Sequence, residues 1–468
     1  MSPEPKLLLQ RLPKVDKLLE NPRISVLLQL HPRSLVLDEV RAYLDELRAA
    51  IVDARLTDVP EQEALVDGLV ERIDVALAPG LRRGVNGVGI VLHTALGRAP
   101  FAESAQRALQ EAAKHYCTLQ IDLETGKRGD RYRNVERLLR RITGAEAAIV
   151  VNNNAAATLL ILNTLALGRE VIVSRGELVE IGGSFRLPDV MKRSGATLVE
   201  VGTTNRTHLK DYKNAITPET GLILKVHQSN YRIVGFTSQV PIAELAQLGH
   251  QHNIPAADDL GSGALVDLSR WGLPKEPMVQ ESIAAGADVV CFSGDKLLGG
   301  PQCGIILGKR EIVERIKANQ LTRALRCDKM TFAVLEATLR LFLDEKKLLA
   351  DHPVLRLITM PEEEIRDRCD RLRQKLSQLF GADGSVSVVG DASEVGSGSL
   401  AAVMLPTWVV AITIKEKGPE QVARALRLAH TPVFGRIKEQ QFLLDCRTIR
   451  DDEIDLIVAG FKETLSNR

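Results

Sequence analysis

A chain of 468 residues is too long for one ordinary core, since domains run to about 250 residues, and two or three domains are expected. Apolar residues at 45% and charged residues at 26% exclude global disorder and a membrane protein. A formal net charge of +1 excludes the strongly basic footprint of a dedicated nucleic-acid binder, so no DNA partner is expected and any RNA contact must be local. No long apolar run occurs, and Met1-Ser-Pro-Glu-Pro5 lacks the basic-then-apolar layout of a secretory leader, so a cytoplasmic home without a membrane partner is expected.

Residues 1–75 read as a small helical domain, with apolar residues at helical spacing from Val36 and again from Leu65, punctuated by Pro13, Pro22, Pro32 and Pro60. So little apolar surface suits a module that docks on a partner. Over 76–335 short β-branched runs alternate with longer helical stretches, as in Ala147–Val151, Glu170–Ser174, Leu222–Val226 and Asp288–Phe292. That pattern predicts an α/β domain with a mainly parallel sheet, whose ligands sit beyond the carboxyl ends of the strands. A helix over Phe332–Leu343 then leads into a small α+β domain, 336–468, with strands at Ala401–Leu405, Val409–Ile414 and Phe442–Asp445.

Chemistry-bearing residues gather after the strands. Asn86–Pro100 carries His93, Gly97 and Arg98, and Tyr116–Arg131 is a turn with Lys127, Arg128 and Arg131 close together. The strand ending at Val151 runs into Asn152-Asn153-Asn154-Ala155, where a helix N-terminus can receive a phosphate. Asp258 and Asp259 end a strand before Gly261-Ser262-Gly263; either could meet a pyridine nitrogen, or serve only as a helix cap, and Asp259 is favoured. In Ser293-Gly-Asp295-Lys296-Leu-Leu-Gly-Gly300 a lysine stands between a buried strand and a glycine-rich turn. Desolvation there suits Schiff-base formation, and the Ser293 hydroxyl can reach a phosphate. Arg323 and Arg326 would share one face of a helix and clamp an anion. His93 and His227 read as satisfied structural histidines, and no metal-ligand spacing occurs, so no metal is expected. Six cysteines at 117, 291, 303, 327, 369 and 446 form no C-x-x-C pair and are expected reduced.

The order of phosphate loop, aspartate and lysine matches the fold-type I pyridoxal-phosphate enzymes. The stretches Asn86–Pro100, Gly126–Arg131, Asp258–Gly263, Ser293–Gln302 and Arg323–Met330 together resemble the bacterial L-seryl-tRNA(Sec) selenium transferase (selenocysteine synthase) family, in order along nearly the whole chain. The resemblance implies an aspartate aminotransferase-like fold and pyridoxal 5'-phosphate held as a Schiff base by Lys296. It implies conversion of seryl-tRNA(Sec) to selenocysteinyl-tRNA(Sec), by elimination of the serine hydroxyl to an aminoacrylate and addition of selenium from selenophosphate. It further implies that Arg98, Arg323 and Arg326 hold the selenium donor, that Asp295 assists Lys296, that the N-terminal domain grips the tRNA, and that the chain assembles into a ring of dimers, a decamer. Cys303 departs from the smaller or apolar residue frequent at that place in relatives. Two other readings stand beside this one: a pyridoxal-phosphate lyase acting on a free amino acid or amino sugar acid, and a non-catalytic RNA-binding protein on the same fold.

Overall fold

The computed structural model describes residues 3–77, 79–182 and 185–466. Their contacts divide the chain into two compact units, 1–83 and 84–468.

The first unit is helical: α1 (Pro3–Arg11), α2 (Val15–Leu19), α3 (Pro22–Leu30), α4 (Arg33–Val52) and α5 (Gln62–Leu77). Asn21 caps α3, accepting from Arg23 N, with Pro22 at the first helical position, where its missing N–H costs nothing. The apolar positions of α4 and α5 (Val36, Val40, Leu44, Val66, Leu69, Ile73) form one core with Leu18 and Ile24. Gly68 lets the helices close up, since a Cβ there would stand 2.6 Å from Tyr43 Oη. Arg72 ties them from outside, reaching Glu39 (2.8 Å) and Glu46 (2.6 Å).

The second unit is built on a seven-stranded sheet. In chain order its strands are β1 (Ala147–Val151), β2 (Glu170–Ser174), β3 (Thr197–Val201), β4 (Thr220–Val226), β5 (Ala256–Gly261), β6 (Val289–Ser293) and β7 (Gly304–Gly308). Their spatial order is β1-β7-β6-β5-β4-β2-β3. From β2 to β6 all pairings are parallel, whereas β7 is antiparallel to both β1 and β6. Every residue of β1, β6 and β7 is buried, as continuous apolar runs covered on both faces require. Because Gly304 pairs with Val151 on one side and Ser293 on the other, the ends of β1 and β6 and the start of β7 meet at one edge of the sheet.

A second, antiparallel sheet follows: β8 (Gly384–Glu394), β9 (Met404–Ile414), β10 (Arg436–Lys438) and β11 (Gln441–Asp445), in the order β8-β9-β11-β10. The helix Glu362–Phe380 covers it through Ile365, Cys369, Leu372 and Leu376, and Val85, from the start of the unit, is buried in the same core. The strand expected from Ala401 starts instead at Met404; Ala401 and Ala402 lie in a turn, with Ala402 left-handed at φ 61°. The helix expected from Phe332 begins earlier, at Lys329, because Asp328 caps it by accepting from Thr331 N (2.8 Å). Among the described residues, no helix is long and apolar enough to cross a membrane.

One buried histidine joins these parts. His352 Nε2 lies 2.9 Å from the Leu298 carbonyl, in the lysine-bearing turn, while its Nδ1 accepts from Leu355 N at 3.2 Å. Both contacts are satisfied only by the neutral ring with hydrogen on Nε2. Burial pushes its pKa down from 6.5 to about 4. The unfolded chain therefore takes up the proton first as pH falls, and the stabilisation from neutral His352 is full above pH 6.5 and is lost on the way down to about 4. Comparing denaturation midpoints at pH 7 and 5, wild type is expected to lose on the order of 2 kcal/mol more than His352→Asn.

Candidate active site

The sheet edge where β1, β5, β6 and β7 meet collects the residues singled out from the sequence. Asn153 is extended (φ −165°) and caps the helix α6 (Asn154–Ala166), its side chain accepting from Ala156 N at 2.8 Å. The amides of Asn154 and Ala155 then lie outside the helix's own bonding, a ready anion site. Gly304 allows this turn to sit tightly on the sheet: a Cβ there would stand 2.2 Å from Asn153 O.

The two aspartates part company because successive residues of a strand face opposite ways. Asp258 accepts from Ser282 Oγ (2.6 Å), and burial pushes its pKa up to about 6. Asp259 points to the other face, where Asn154 Nδ2 (2.8 Å) and Thr158 Oγ1 (2.9 Å) donate to its two oxygens. Burial raises its pKa as well, opposed by those two hydrogen bonds and by the Lys296 charge. Thr158 was not anticipated from the sequence; only its place one helical turn after Asn154 could have suggested it.

Lys296 follows β6 and is 5% exposed. Its turn is tied down by Gly294 N to Cys303 O (2.8 Å), Gly300 N to Gly294 O (2.8 Å) and Leu297 N to Ser262 O (3.2 Å). Cys303 finds its reason here, since its sulfur fills the space a side chain on Gly294 would need. Burial, then the Arg98 charge, lowers the Lys296 pKa, while Asp259, Asp295 and Glu276 oppose the shift. Arg98 pairs with Asp295 and is itself left-handed, at φ 62°. Ser293, the last residue of β6, is buried opposite Gly304, at the same edge as the α6 turn.

Arg326 does not share a helix face with Arg323 as expected. The helix Leu321–Ala324 ends before it, and Arg326 forms a bridge to Val151, next to the 2.9 Å bond from Asn152 N to Leu325 O. Backbone pairing with the end of β1 stops the helix and carries Arg326 to the α6 turn. Both arginines are exposed, and among the described residues neither has a carboxylate partner. His93 and His227 are not the satisfied histidines expected: Nδ1 of each is buried without a hydrogen-bond partner. Among the described residues no cluster could hold a metal ion, and all six cysteines are free.

A flat, phosphorylated pyridine fits this site. Gly261 and Gly398 leave the lysine amine approachable; a Cβ on either would stand 3.9 or 3.5 Å from Nζ. Asn154 Oδ1 and Ser262 Oγ are buried and unpartnered, so polar capacity is left for a ligand. An oriented carboxylate, a desolvated amine and an open helix N-terminus complete the set of groups that pyridoxal phosphate requires.

Fold and site together define an enzyme of the pyridoxal-phosphate class built on a mainly parallel sheet. The model of the family described as L-seryl-tRNA selenium transferase matches residues 85–450, and that described as the selenocysteine synthase N terminal matches 9–48. The chain belongs to the L-seryl-tRNA selenium transferase family. It is 49% identical over 461 residues to the L-seryl-tRNA(Sec) selenium transferase of Geobacter sulfurreducens, covering 97% of this chain and 99% of that protein. Identity to the same-named protein of Carboxydothermus hydrogenoformans is also 49%, over 96% of each chain. Among solved structures, D-glucosaminate-6-phosphate ammonia-lyase superposes with a TM-score of 0.54 at 20% identity, covering 83% of this chain and 97% of that one, a likeness of fold.

The opposite facing of the two aspartates generates a test. Equilibrium dialysis with pyridoxal phosphate should show Asp259→Asn weakening binding at least about tenfold and Asn154→Ala by roughly that factor, each having removed a charge-assisted contact. Asp258→Asn should bind as wild type does.

Proposed function

We propose that the chain converts seryl-tRNA(Sec) to selenocysteinyl-tRNA(Sec), taking selenium from selenophosphate. The observation that carries this reading is Lys296, buried among Asp259, Asp295 and Arg98 in a chain that matches the selenium transferase family across 85–450. Asp259 would face the ring nitrogen of pyridoxal phosphate, the amides of Asn154 and Ala155 with Asn153 and Ser293 would hold its phosphate, and Lys296 would carry it. Bound there, the cofactor supplies an electron sink for negative charge at the substrate's α-carbon.

The chain's own groups do the rest. The Lys296 amine, its pKa lowered, gives up its proton more readily than an exposed lysine and can take the α-proton of the seryl group. Asp295 aligns the Arg98 guanidinium, whose planar fork suits a phosphate oxygen pair. Arg323 and Arg326, exposed and without carboxylate partners among the described residues, supply further positive charge for selenophosphate or for the tRNA backbone. The helical unit 1–83, with its match to the family's N-terminal model, is the candidate tRNA grip. Assembly with further copies is supported by large apolar side chains left in water: Tyr116, Leu123, Val234 and Phe236 are 106%, 75%, 85% and 84% exposed.

Three outcomes test the reading. A visible absorbance band with added pyridoxal phosphate should form in wild type, be trapped by borohydride on Lys296, and be absent from Lys296→Ala. It should change on addition of seryl-tRNA(Sec) and not of free serine; the reverse result would mark a lyase acting on free amino acids. Arg323→Ala combined with Arg326→Ala should reduce selenium transfer at least about tenfold while leaving the band in place.

A further inference from the structure

One buried hydroxyl shares the gap beside Lys296 with the amine. Ser229 is 2% exposed, and among the described residues its Oγ has no hydrogen-bond partner. Two glycines locate it. A Cβ on Gly398 would stand 3.2 Å from Ser229 Oγ and 3.5 Å from Lys296 Nζ, and a Cβ on Gly261 would stand 3.4 and 3.9 Å from the same two atoms. Hydroxyl and amine therefore border one space, kept open by the turn after β5 and by the loop beyond β8, and no hydrogen bond joins them across it.

The chain fixes the hydroxyl in that place. His227 N donates to the Asp259 carbonyl (2.9 Å) and Ser229 N to the His227 carbonyl (2.8 Å), a tight turn directly after β4. On either side of Ser229, Gln228 Nε2 (2.6 Å) and Tyr231 Oη both donate to the Gly176 carbonyl. A buried hydroxyl without a partner bears a desolvation cost, so one held beside a reactive amine marks a place where a ligand atom supplies the bond.

We propose that Ser229 is a substrate-contacting residue, whose hydroxyl donates to the carbonyl oxygen of the ester that links serine to its tRNA. The proposal rests on the seryl-transfer reading. The seryl α-amine must approach Lys296 Nζ, and the ester carbonyl lies two bonds from that amine, within this gap. When Nζ takes the α-proton, the C–H bond breaks, an N–H bond forms, and the electron pair left at the α-carbon spreads in part onto the carbonyl oxygen. A donor fixed in a water-poor site stabilises that charge as it develops, and no proton leaves Ser229. The seryl hydroxyl is a poorer partner: by protonating it on departure, Ser229 would be left as a buried alkoxide. A neutral donor also suits an ester, which carries no charge, whereas the carboxylate of a free amino acid calls for a cation.

Ser229→Thr and Ser229→Val add nearly the same volume, and only the first keeps the hydroxyl. With seryl-tRNA(Sec) and selenophosphate, kcat of Ser229→Val is expected at least about tenfold below that of Ser229→Thr, with pyridoxal phosphate affinity within about threefold of wild type in both. Alanyl-tRNA(Sec), which has no hydroxyl to lose, should exchange its α-proton in heavy water more slowly with Ser229→Val by the same factor. Equal kcat in the two variants, exchange left unchanged, or a loss of cofactor affinity confined to Ser229→Val each overturns the proposal; the second result would place the hydroxyl on the departing oxygen and the third on the cofactor. The placement is checked without tRNA or cofactor. In Ser229→Cys, o-phthalaldehyde should join the thiol to Lys296, read as a linked peptide pair by mass spectrometry and absent when Lys296→Ala is added; no link overturns the proposal. Wild-type transfer to seryl-tRNA(Sec) is measured first, so a failure of the functional reading shows as absence of that activity, separately from the crosslink.

Discussion

Keeping an amine out of water is the constraint around which the second unit is arranged. An ammonium group at 5% exposure loses most of its hydration, and the chain answers with a lowered pKa and three carboxylates, Asp259, Asp295 and Glu276, set against it from different segments. None of those carboxylates takes the lysine as a hydrogen-bonded partner. Asp259 is engaged by Asn154 and Thr158, and Asp295 by Arg98. The amine therefore stays available, neither neutralised in a salt bridge nor stranded in an apolar pocket.

This arrangement depends on backbone more than on side chains. The antiparallel β7 brings the ends of β1 and β6 to one place; Gly304 and Gly294 each remove a side chain where another segment must approach, and Gly261 takes a left-handed turn at φ 61°. A strand's alternation then assigns two adjacent carboxylates to different environments. Asp258 is packed against Ser282 with its pKa raised to about 6, while Asp259 is hydrogen-bonded from α6. His352 anchors the lysine turn from beneath, its ring filling the space that a side chain on Gly299 would need.

Much of this was legible because it is local. Lys296, Asp295 and Ser293 lie within one turn, and Asn153 shows itself as a cap by standing between an apolar strand and an apolar helix. Long-range assignments were not legible. Which aspartate faces the lysine depends on the register of β5 between β4 and β6, and no residue count along one strand supplies it. Glu276 lies in a loop with no periodicity, and His227 looks like any histidine beside an apolar run until its Nδ1 is found without a donor or acceptor. The strand Gly384–Glu394 escaped notice for a related reason: its alternation is short, with Val386 and Val388 packed on the core and Ser385, Ser387 and Val389 exposed, and it fails from Gly390 onward.

Backbone strain points to the same place as the chemistry. Of the non-glycine residues with positive φ, Arg98, Ser397, Leu400 and Ala402 fall in two segments bonded to each other by Leu92 N to Val395 O (2.8 Å) and by Thr94 Oγ1 with Ser397 Oγ (2.9 Å). Each such residue costs on the order of 1 kcal/mol, so four together represent a conformation that the rest of the unit must hold in place. What it holds is a loop from beyond β8 laid over the lysine, with Gly398 left-handed at φ 66° and its missing side chain opposite Nζ. A relaxed loop would admit a side chain there and narrow the approach to the amine. The strain is thus the structural counterpart of the lowered lysine pKa: both raise the energy of the resting protein to keep one reactive atom accessible from one direction.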